Sequence, residues 1–392
     1  MKKMEKTRRR RTPAGEPLRR DTLGGCRRIV VKVGSSVLAG PRQMGLNAAS
    51  LHSLARQITG LCREDRQVVL VSSGAVSVGT EVMGLRGSPK NMPLKQAAAG
   101  VGQSRLIQEY QREFQEEGIT VGQILLTHDD VHHRERFLNA RNTIFAMLEH
   151  HVLPIVNEND TVSVEEIRFG DNDTLSALIA TMVEADLLII LTDVEGLFTS
   201  NPATNPEAKL LPDVDRIDAR IESMAKRGKS EFGAGGMITK LRAVKTVSEA
   251  GIPVVVTGGR REGVLQSVLA GERVGTFFHA EPAHLSGRKS WIAFARRAQG
   301  KIIVDEGARS ALTEKGGSLL PSGVVAVEGT FQFGDSSVCC TPNGREFARG
   351  LVNYGSAELD RIKGQKTGAI QSILGFKEYD EVIHRDNLVL LH

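Results

Sequence analysis

The sequence predicts an α/β fold: a three-layer αβα sandwich with a mostly parallel central sheet, followed by a small mostly-β domain. Between residues 28 and 279, short apolar runs of strand length alternate with amphipathic segments of helical period. Several of these runs end in small or polar residues, at the edge where open α/β sheets bind ligands. From Gly300 onward, short β-like runs are separated by glycine turns. We therefore expect a first domain at 28–279, a linker at 280–299 and a second domain at 300–385.

The positive charge of the chain is concentrated at its N-terminus. Residues 1–28 hold eleven Lys or Arg and three Asp or Glu, whereas the remainder is slightly acidic. The segment lacks the apolar centre of a secretory signal. Its arginine run could contact nucleic acid or resemble an organelle transit segment, but a solvated extension is the simpler interpretation. We expect residues 1–27 to form a basic, disordered extension.

The rest of the composition is typical of a soluble, cytoplasmic protein. A chain of 392 residues is long enough for two to three domains. It contains no run of 18 apolar residues, so we expect no membrane span. The absence of a C-x-x-C pair favours reduced thiols over a disulfide framework. The four cysteines are Cys26, Cys62, Cys339 and Cys340.

Hydrophobic period and turn residues place the individual elements. Strands are predicted at Ile29–Val33, Val68–Val71, Ile119–Leu126, Val152–Val156, Leu187–Leu191, Ile252–Val256 and Val274–Phe278. Helices are predicted at Leu46–Leu61, in two segments within Pro93–Gln115, at Phe137–Glu149, from Thr174, at Leu241–Ala250 and at Gly263–Ala270. Residues 199–215 are predicted as a loop. The second domain has strand patterns at Ile302–Val304, Val324–Val327 and Ser337–Cys340.

Two features indicate a site for an anion. Lys32 ends the first strand beside a Gly-Ser-Ser turn, where a buried ammonium is costly unless an anion meets it. The alternative to an anion site is that the ammonium group of Lys32 reaches solvent at the edge of the sheet. The glycine-rich loop Gly233–Gly236 precedes a helix with Lys240 in its first turn. Backbone amides, the helix dipole and an ammonium group converge in such a phosphate cradle, although the spacing is not that of a Walker A motif.

Two clusters of Asn and Asp flank one arm of the chain. Asn157–Asp160 follows a predicted strand, and Asp171–Asp173 precedes a predicted helix. Either cluster alone is typical of turn formers and helix caps. Together they indicate a polar pocket, because carboxylates and amides suit a ligand with an ammonium group and several oxygens.

A metal site is a weaker interpretation of the segment His128–His133. His128 and His132 are four residues apart, but no third ligand follows at metalloenzyme spacing. Arg134 and Arg136 would also repel a cation. We expect a polar loop there and assign no metal-binding residue.

Taken together, these segments resemble the glutamate 5-kinases of the amino acid kinase family. The resemblance covers about residues 28–385 and rests on several motifs that occur in family order. They are V-V-K-V-G-S-S, V-S-S-G-A, K-Q-A-A-A-G-V-G-Q-S-R-L, R-E-R-F-L-N-A-R, N-E-N-D, G-D-N-D-x-L-S-A-L, L-T-D-V-E-G-L and G-G-M-x-T-K. The C-terminal part, from D-E-G-A-R-S-A-L through G-x-x-x-A-x-G-x-x-x-Y-x-S-x-E-L, resembles a PUA domain.

The resemblance implies phosphorylation of the side-chain carboxylate of L-glutamate by ATP, the first step of proline biosynthesis, with Mg²⁺ carried by the nucleotide. By match to the family motifs, the catalytic residues are Lys32, Lys240 and Asp173. The glutamate-binding positions are Ser73, Asn157, Asp160 and Asn172. The nucleotide-binding positions are Lys32, Thr192, Asp193, Ala234, Gly235, Gly236, Met237, Ile238, Thr239 and Lys240. Ala234 departs from the usual family threonine, so one hydroxyl contact to the nucleotide is absent.

The resemblance also implies partners. It predicts inhibition by proline, a homo-oligomer (dimer or tetramer) assembled through the region Arg136–Arg141, and functional coupling to glutamyl phosphate reductase. Two alternatives stay open: a related amino acid kinase with another acceptor, such as aspartate, carbamate or a nucleoside monophosphate, and an RNA-binding protein that uses the PUA-like domain. The folded part has no basic excess, which weighs against RNA.

Overall fold

The computed structural model describes residues 15–40, 45–87, 89, 91–132, 134–162, 172–226, 236–281 and 298–391. The predicted linker, with Trp291, lies largely outside the described residues, as does most of the arm between the two Asn/Asp clusters.

An eight-stranded sheet forms the centre of the first domain. Its strands are β1 (Arg28–Val33), β2 (Gln67–Ser72), β3 (Thr120–Leu126), β4 (Val152–Glu158), β5 (Leu187–Thr192), β6 (Asp213–Val214), β7 (Val254–Gly258) and β8 (Thr276–Phe278). The order across the sheet is β3-β4-β2-β1-β5-β7-β8-β6. The β7–β8 pair is antiparallel, and the other six pairs of neighbours are parallel. The prediction of a mostly parallel sheet is confirmed.

Helices lie on both faces of this sheet. They are α1 (Gly15–Gly24), α2 (Ser35–Leu38), α3 (Ala48–Arg63), α4 (Ala75–Val82), α5 (Met92–Glu116), α6 (His128–His132), α7 (Arg134–Glu149), α8 (Asn172–Met182), α9 (Ala219–Lys226), α10 (Met237–Glu249) and α11 (Val264–Leu269). Alternate residues of β1 face opposite sides, as strand geometry requires. Val30 joins the apolar cluster of α7, α8 and α10, whereas Ile29 and Val31 join that of α3, α5 and α11. The three predicted layers are therefore present.

The second domain is built on a separate five-stranded sheet. Its strands are β9 (Gly300–Val304), β10 (Val324–Gly329), β11 (Ser336–Cys340), β12 (Glu346–Leu351) and β13 (Leu388–Leu390), in the order β10-β9-β11-β12-β13. Three short helices accompany them: α12 (Glu306–Thr313), α13 (Ser356–Ile362) and α14 (Ile370–Leu374). Phe331, Cys339 and Tyr354 are buried in its core. This confirms the mostly-β prediction, and β13 extends the domain past its predicted end at residue 385.

The expectation of disorder is wrong for residues 15–24, which form α1. Arg19 is fully buried there and lies over the ring of Phe277. Its guanidinium donates to Asp213 at 3.1 Å and to the backbone oxygens of Pro212 and Glu272. A buried guanidinium is tolerated because its donors are paired. These long-range contacts attach the end of the basic extension to the sheet edge. No local sequence pattern predicts them.

Two smaller differences concern the predicted helix pair and the loop at 199–215. The pair is one continuous helix, α5, in which α4 packs closely against Gly102. The loop contains the two-residue strand β6. Among the described helices, none combines the length and apolar character needed to cross a lipid bilayer.

Candidate active site

The candidate site lies at the carboxyl edge of the parallel strands. Val33 of β1 pairs with Ser72 of β2 and with Leu191 of β5, so these three strands end side by side. Asn157 lies near the end of β4, the next strand beyond β2. Helices α8 and α10 begin at the same edge, with their N-terminal amides and positive dipole ends directed there.

Two lysines and one aspartate form a buried charge cluster at this edge. Lys32 Nζ lies 2.6 Å from Asp173 Oδ1, and Lys240 Nζ lies 3.1 Å from Asp173 Oδ2. The Thr239 hydroxyl donates to Asp173 Oδ2 at 3.2 Å. The exposed fractions of Lys32, Asp173 and Lys240 are 5%, 1% and 6%. Two ammonium groups and one carboxylate give the three groups a formal net charge of +1, and a buried positive cluster favours an anionic ligand.

The lysines keep Asp173 ionised. Burial alone would raise the pKa of this carboxyl, but the charges and hydrogen bonds of Lys32 and Lys240 outweigh it, and the pKa lies below its ordinary value. Asp173 therefore holds two ammonium groups in place without neutralising both.

The N-terminus of α10 carries the described part of the predicted phosphate cradle. Gly236 caps the helix in an extended conformation, and Lys240 follows within the first turn. Met237 packs against the apolar cluster, whereas Ile238 is exposed. Ala234 and Gly235 lie outside the described residues.

The predicted nucleotide-binding pair at the end of β5 lies next to the charge cluster. Thr192 is buried and donates from its hydroxyl to Asp193 Oδ1 at 3.0 Å, while Asp193 is exposed. β5 is the direct neighbour of β1, which carries Lys32.

The amides of Asn157 and Asn172 form a hydrogen-bonded network on the other side of Lys32. Asn172 Nδ2 lies 2.9 Å from Asn157 Oδ1, 2.9 Å from Ser73 Oγ and 3.1 Å from the Ser72 carbonyl. The Asn172 Oδ1 atom is buried and has no hydrogen-bond partner among the described residues. Asp160 is half-buried in the turn after β4.

This network changes the expected chemistry of Asn172. From the sequence, the amides and carboxylates of the two clusters suit a ligand with an ammonium group and several oxygens. The NH₂ group of Asn172, which could meet such an oxygen, is already engaged by protein acceptors. The atom of Asn172 without a partner among the described residues is its carbonyl oxygen, which accepts a hydrogen bond and so suits a donor such as an ammonium group.

Sequence reasoning missed two residues of α5 that contact this network. Asn157 Nδ2 donates to Gln103 Oε1 at 2.7 Å. The Tyr110 hydroxyl lies 2.8 Å from Ser72 Oγ, and burial raises the pKa of Tyr110. Both residues lie in the middle of a helix, where a Gln or a Tyr carries no local signal of a role at the site. Their partners are 54 and 38 residues away in sequence.

The arrangement suits a phosphoryl transfer site chemically. A positive cluster and two helix N-termini can hold phosphate groups, and the neighbouring amide network can hold a small ligand with a donor group. The acceptor would thereby lie beside the phosphate.

Comparison with known proteins shows which families this chain is similar to. The amino acid kinase family model matches residues 27–258, and the PUA domain model matches residues 300–374. The glutamate 5-kinase of Syntrophotalea carbinolica is 51% identical over 373 residues, covering 95% of this chain and 100% of that protein. The glutamate 5-kinase of Geobacter sulfurreducens is 49% identical over 374 residues, covering 95% and 100%. Among solved structures, carbamate kinase from Giardia lamblia bound to AMP-PNP is 18% identical, covers 66% of this chain and 100% of that one, and has a TM-score of 0.48.

Proposed function

This chain belongs to the amino acid kinase family and has a PUA domain after its kinase domain, and we propose that it phosphorylates the side-chain carboxylate of L-glutamate with ATP. The product is L-glutamyl 5-phosphate, and the reaction begins proline biosynthesis. The observation that carries the proposal is the buried cluster of Lys32, Asp173 and Lys240 beside an amide-lined pocket. Two proteins named glutamate 5-kinase are 51% and 49% identical to this chain over nearly its full length. This similarity supports glutamate as the acceptor over aspartate, carbamate or a nucleotide.

The lysines stabilise the charge of the transferring phosphoryl group. A glutamate side chain is already ionised at pH 7, so its carboxylate attacks without a general base. The remaining requirements are alignment of the two reactants and a positive field around the phosphoryl oxygens. Lys32 on β1 and Lys240 on α10 supply that field from two directions, and Asp173 fixes their positions.

ATP is the phosphoryl donor, and Mg²⁺ accompanies it. Both oxygens of Asp173 face ammonium groups, so this carboxylate is not available as a magnesium ligand. The phosphates of ATP would hold the ion, whose contribution is to neutralise phosphate charge. The described nucleotide-side residues are Thr192 at the end of β5, Asp193 directly after it, the cap residue Gly236 and the first turn of α10, Met237–Lys240.

The amide network holds the amino-acid end of glutamate. The open Asn172 Oδ1 and the Asp160 carboxylate accept hydrogen bonds from the substrate ammonium. Ser73, at the turn before α4, lies near enough to the network to contact a substrate oxygen.

Several further properties follow from family membership as part of this proposal. They are inhibition by proline at or overlapping the glutamate site, assembly into a dimer or tetramer, coupling to glutamyl phosphate reductase, and a cytoplasmic location. The four free cysteines fit a reducing compartment.

The direct test is ADP release from Mg-ATP in the presence of L-glutamate, L-aspartate or no acceptor, with hydroxylamine to trap an acyl phosphate. The proposal predicts ADP and hydroxamate with glutamate alone. Turnover with aspartate alone would keep the kinase fold and change the substrate. A folded protein that binds ATP but turns over none of these acceptors would refute the proposed activity and make RNA the next ligand to test.

A further inference from the structure

Gln103 has no role in the mechanism described above, yet its side chain is hydrogen-bonded to Asn157 of the proposed substrate pocket. It lies on α5, and its Oε1 accepts a hydrogen bond of 2.7 Å from Asn157 Nδ2. We propose that Gln103 is a positioning residue for glutamate binding, acting through Asn157. This inference rests on the proposed function, because it concerns the same pocket.

Three contacts, of which Gln103 makes one, fix which way the Asn157 amide points. Asn157 Oδ1 accepts from the Glu158 backbone N–H at 2.8 Å and from Asn172 Nδ2 at 2.9 Å. A half-turn of the amide would place its NH₂ group against both donors and its oxygen against Gln103 Oε1. Every contact would then be repulsive, so the backbone N–H of Glu158 selects one orientation and the acceptor on Gln103 stabilises it.

The orientation of Asn157 in turn fixes that of Asn172. With Asn157 Oδ1 facing it, Asn172 directs its NH₂ group into the protein and leaves its own oxygen open. A buried acceptor without a partner is costly, and a ligand donor recovers that cost on binding. The chain of contacts from Gln103 through Asn157 and Asn172 thus prepares an acceptor for the substrate ammonium.

The helix that carries Gln103 is held firmly against the site. Gly102 packs so closely on α4 that an added Cβ would lie 1.9 Å from the Ala75 carbonyl oxygen. Tyr110, two turns after Gln103 on the same face, contacts Ser72 at the end of β2. α5 therefore positions the polar ends of both β2 and β4, and the Gln103 contact belongs to a rigid platform.

The test compares Gln103→Met with Gln108→Met. Methionine keeps the length of glutamine but offers no comparable acceptor, and Gln108 is an exposed glutamine on the same helix. Gln103→Met should raise the KM for glutamate roughly tenfold, the effect expected for one buried hydrogen bond. The KM for ATP and kcat should stay close to wild type, whereas a purely structural defect would move them too. Gln108→Met should behave as wild type.

Two further variants test the route of the effect. Gln103→Glu keeps an acceptor for Asn157 and should restore the KM for glutamate to within about threefold of wild type. In an Asn157→Ala background, Gln103→Met should add no further increase, because its partner is gone. Any one of three results would overturn the positioning role of Gln103 and leave the proposed function standing. They are an unchanged KM for glutamate in Gln103→Met, a KM in Gln103→Glu raised as much as in Gln103→Met, and additive effects on the KM in the double variant. Wild-type protein without glutamate-dependent turnover would overturn the proposed function and this inference together.

Discussion

At the scale of single residues, Asp173 determines the electrostatics of the site. It is the one carboxylate in a buried cluster with two ammonium groups, and both of its oxygens are engaged by lysines. Burying such charges is favourable only while each has a partner. Asp173 consequently has a structural role, in stabilising the folded cluster, and a functional one, in aiming both lysines at the same point.

We predict that Asp173→Asn lowers the free energy of unfolding by about 3 kcal/mol at pH 7, because an amide cannot compensate two buried ammonium groups. The pKa of Asp173 is lowered in the folded protein, so its stabilisation is complete above its unfolded pKa of about 4. It is lost as the pH falls through the lower folded pKa. Urea unfolding of both proteins from pH 7 downward should therefore show a constant difference that shrinks below about pH 4.

Asp129→Asn is the matched control, because that side chain is 78% exposed and makes only a surface ion pair with Arg136 among the described residues. It should unfold like wild type at every pH. A difference for Asp173→Asn that is the same at pH 7 and at pH 3 would show that the ionised carboxylate is not what stabilises the cluster.

The site residues differ in how far the sequence could predict them. Lys32 and Lys240 were predictable because a lysine at a strand end, or after a glycine-rich loop, has an immediate electrostatic cost that an anion removes. Their shared partner Asp173 was named through the family motif. Gln103 was not identified as a site residue, because its role depends on an Asn 54 residues later in the chain.

At the scale of elements, the packing of α4 on α5 places the turn after β2. The two helices touch through glycine: a Cβ on Gly79 would lie 1.7 Å from the Ala98 oxygen, and one on Gly102 would lie 1.9 Å from the Ala75 oxygen. Ser73, one of the predicted glutamate contacts, lies two residues before α4. The close approach of the helices therefore sets the position of a pocket residue.

Gly102→Ala should lower the free energy of unfolding by about 3 kcal/mol, since the helices must separate to admit the methyl group. It should also raise the KM for glutamate, because the start of α4 shifts. Gly100→Ala, on the same helix, is the control: its Cβ would meet only the methyl group of Thr161 at 3.3 Å. That variant should remain within about 1 kcal/mol of wild type, aided by the helix propensity of alanine. Equal unfolding free energies for the two variants would contradict this account of the interface.

The helices and strands were predictable where the hydrophobic pattern of the segment itself determines which side is buried. The buried parallel strands of the first domain are short apolar runs, and each is found near its predicted position. The two predicted segments of α5 are one helix because contacts with α4 outweigh the low helix propensity of Gly100 and Gly102. α1 was missed for the same kind of reason: the pairing of Arg19 with Asp213 is a tertiary contact.

At the scale of the whole molecule, the strand order brings the chemistry together. β2, β1 and β5 are adjacent in the sheet although they are far apart in sequence, and their carboxyl ends meet the N-termini of α8 and α10. The phosphate side and the amino-acid side of the site thereby share one edge. The alternation of strands and helices predicted a sheet edge of this kind, whereas the strand order itself depends on packing that no local pattern contains.

The second domain contributes none of the residues predicted to act in phosphoryl transfer. Its five-stranded sheet has its own core, and the predicted catalytic and glutamate-binding residues all come from the first domain. Binding of RNA by this domain stays a prediction from the PUA resemblance. The phosphoryl transfer account depends only on the first domain.

The most direct test of that account is the kcat of Lys240→Ala at saturating ATP and glutamate, measured beside Lys245→Ala. Lys245 lies on the same helix, is half exposed and forms a surface ion pair with Glu222, so its loss should leave kcat near wild type. Removing the Lys240 ammonium from the charge cluster should lower kcat by roughly 10²–10³ in a folded protein, as for loss of one oxyanion donor. A Lys240→Ala enzyme with near-wild-type kcat would contradict the claim that the two buried lysines stabilise the transferring phosphoryl group.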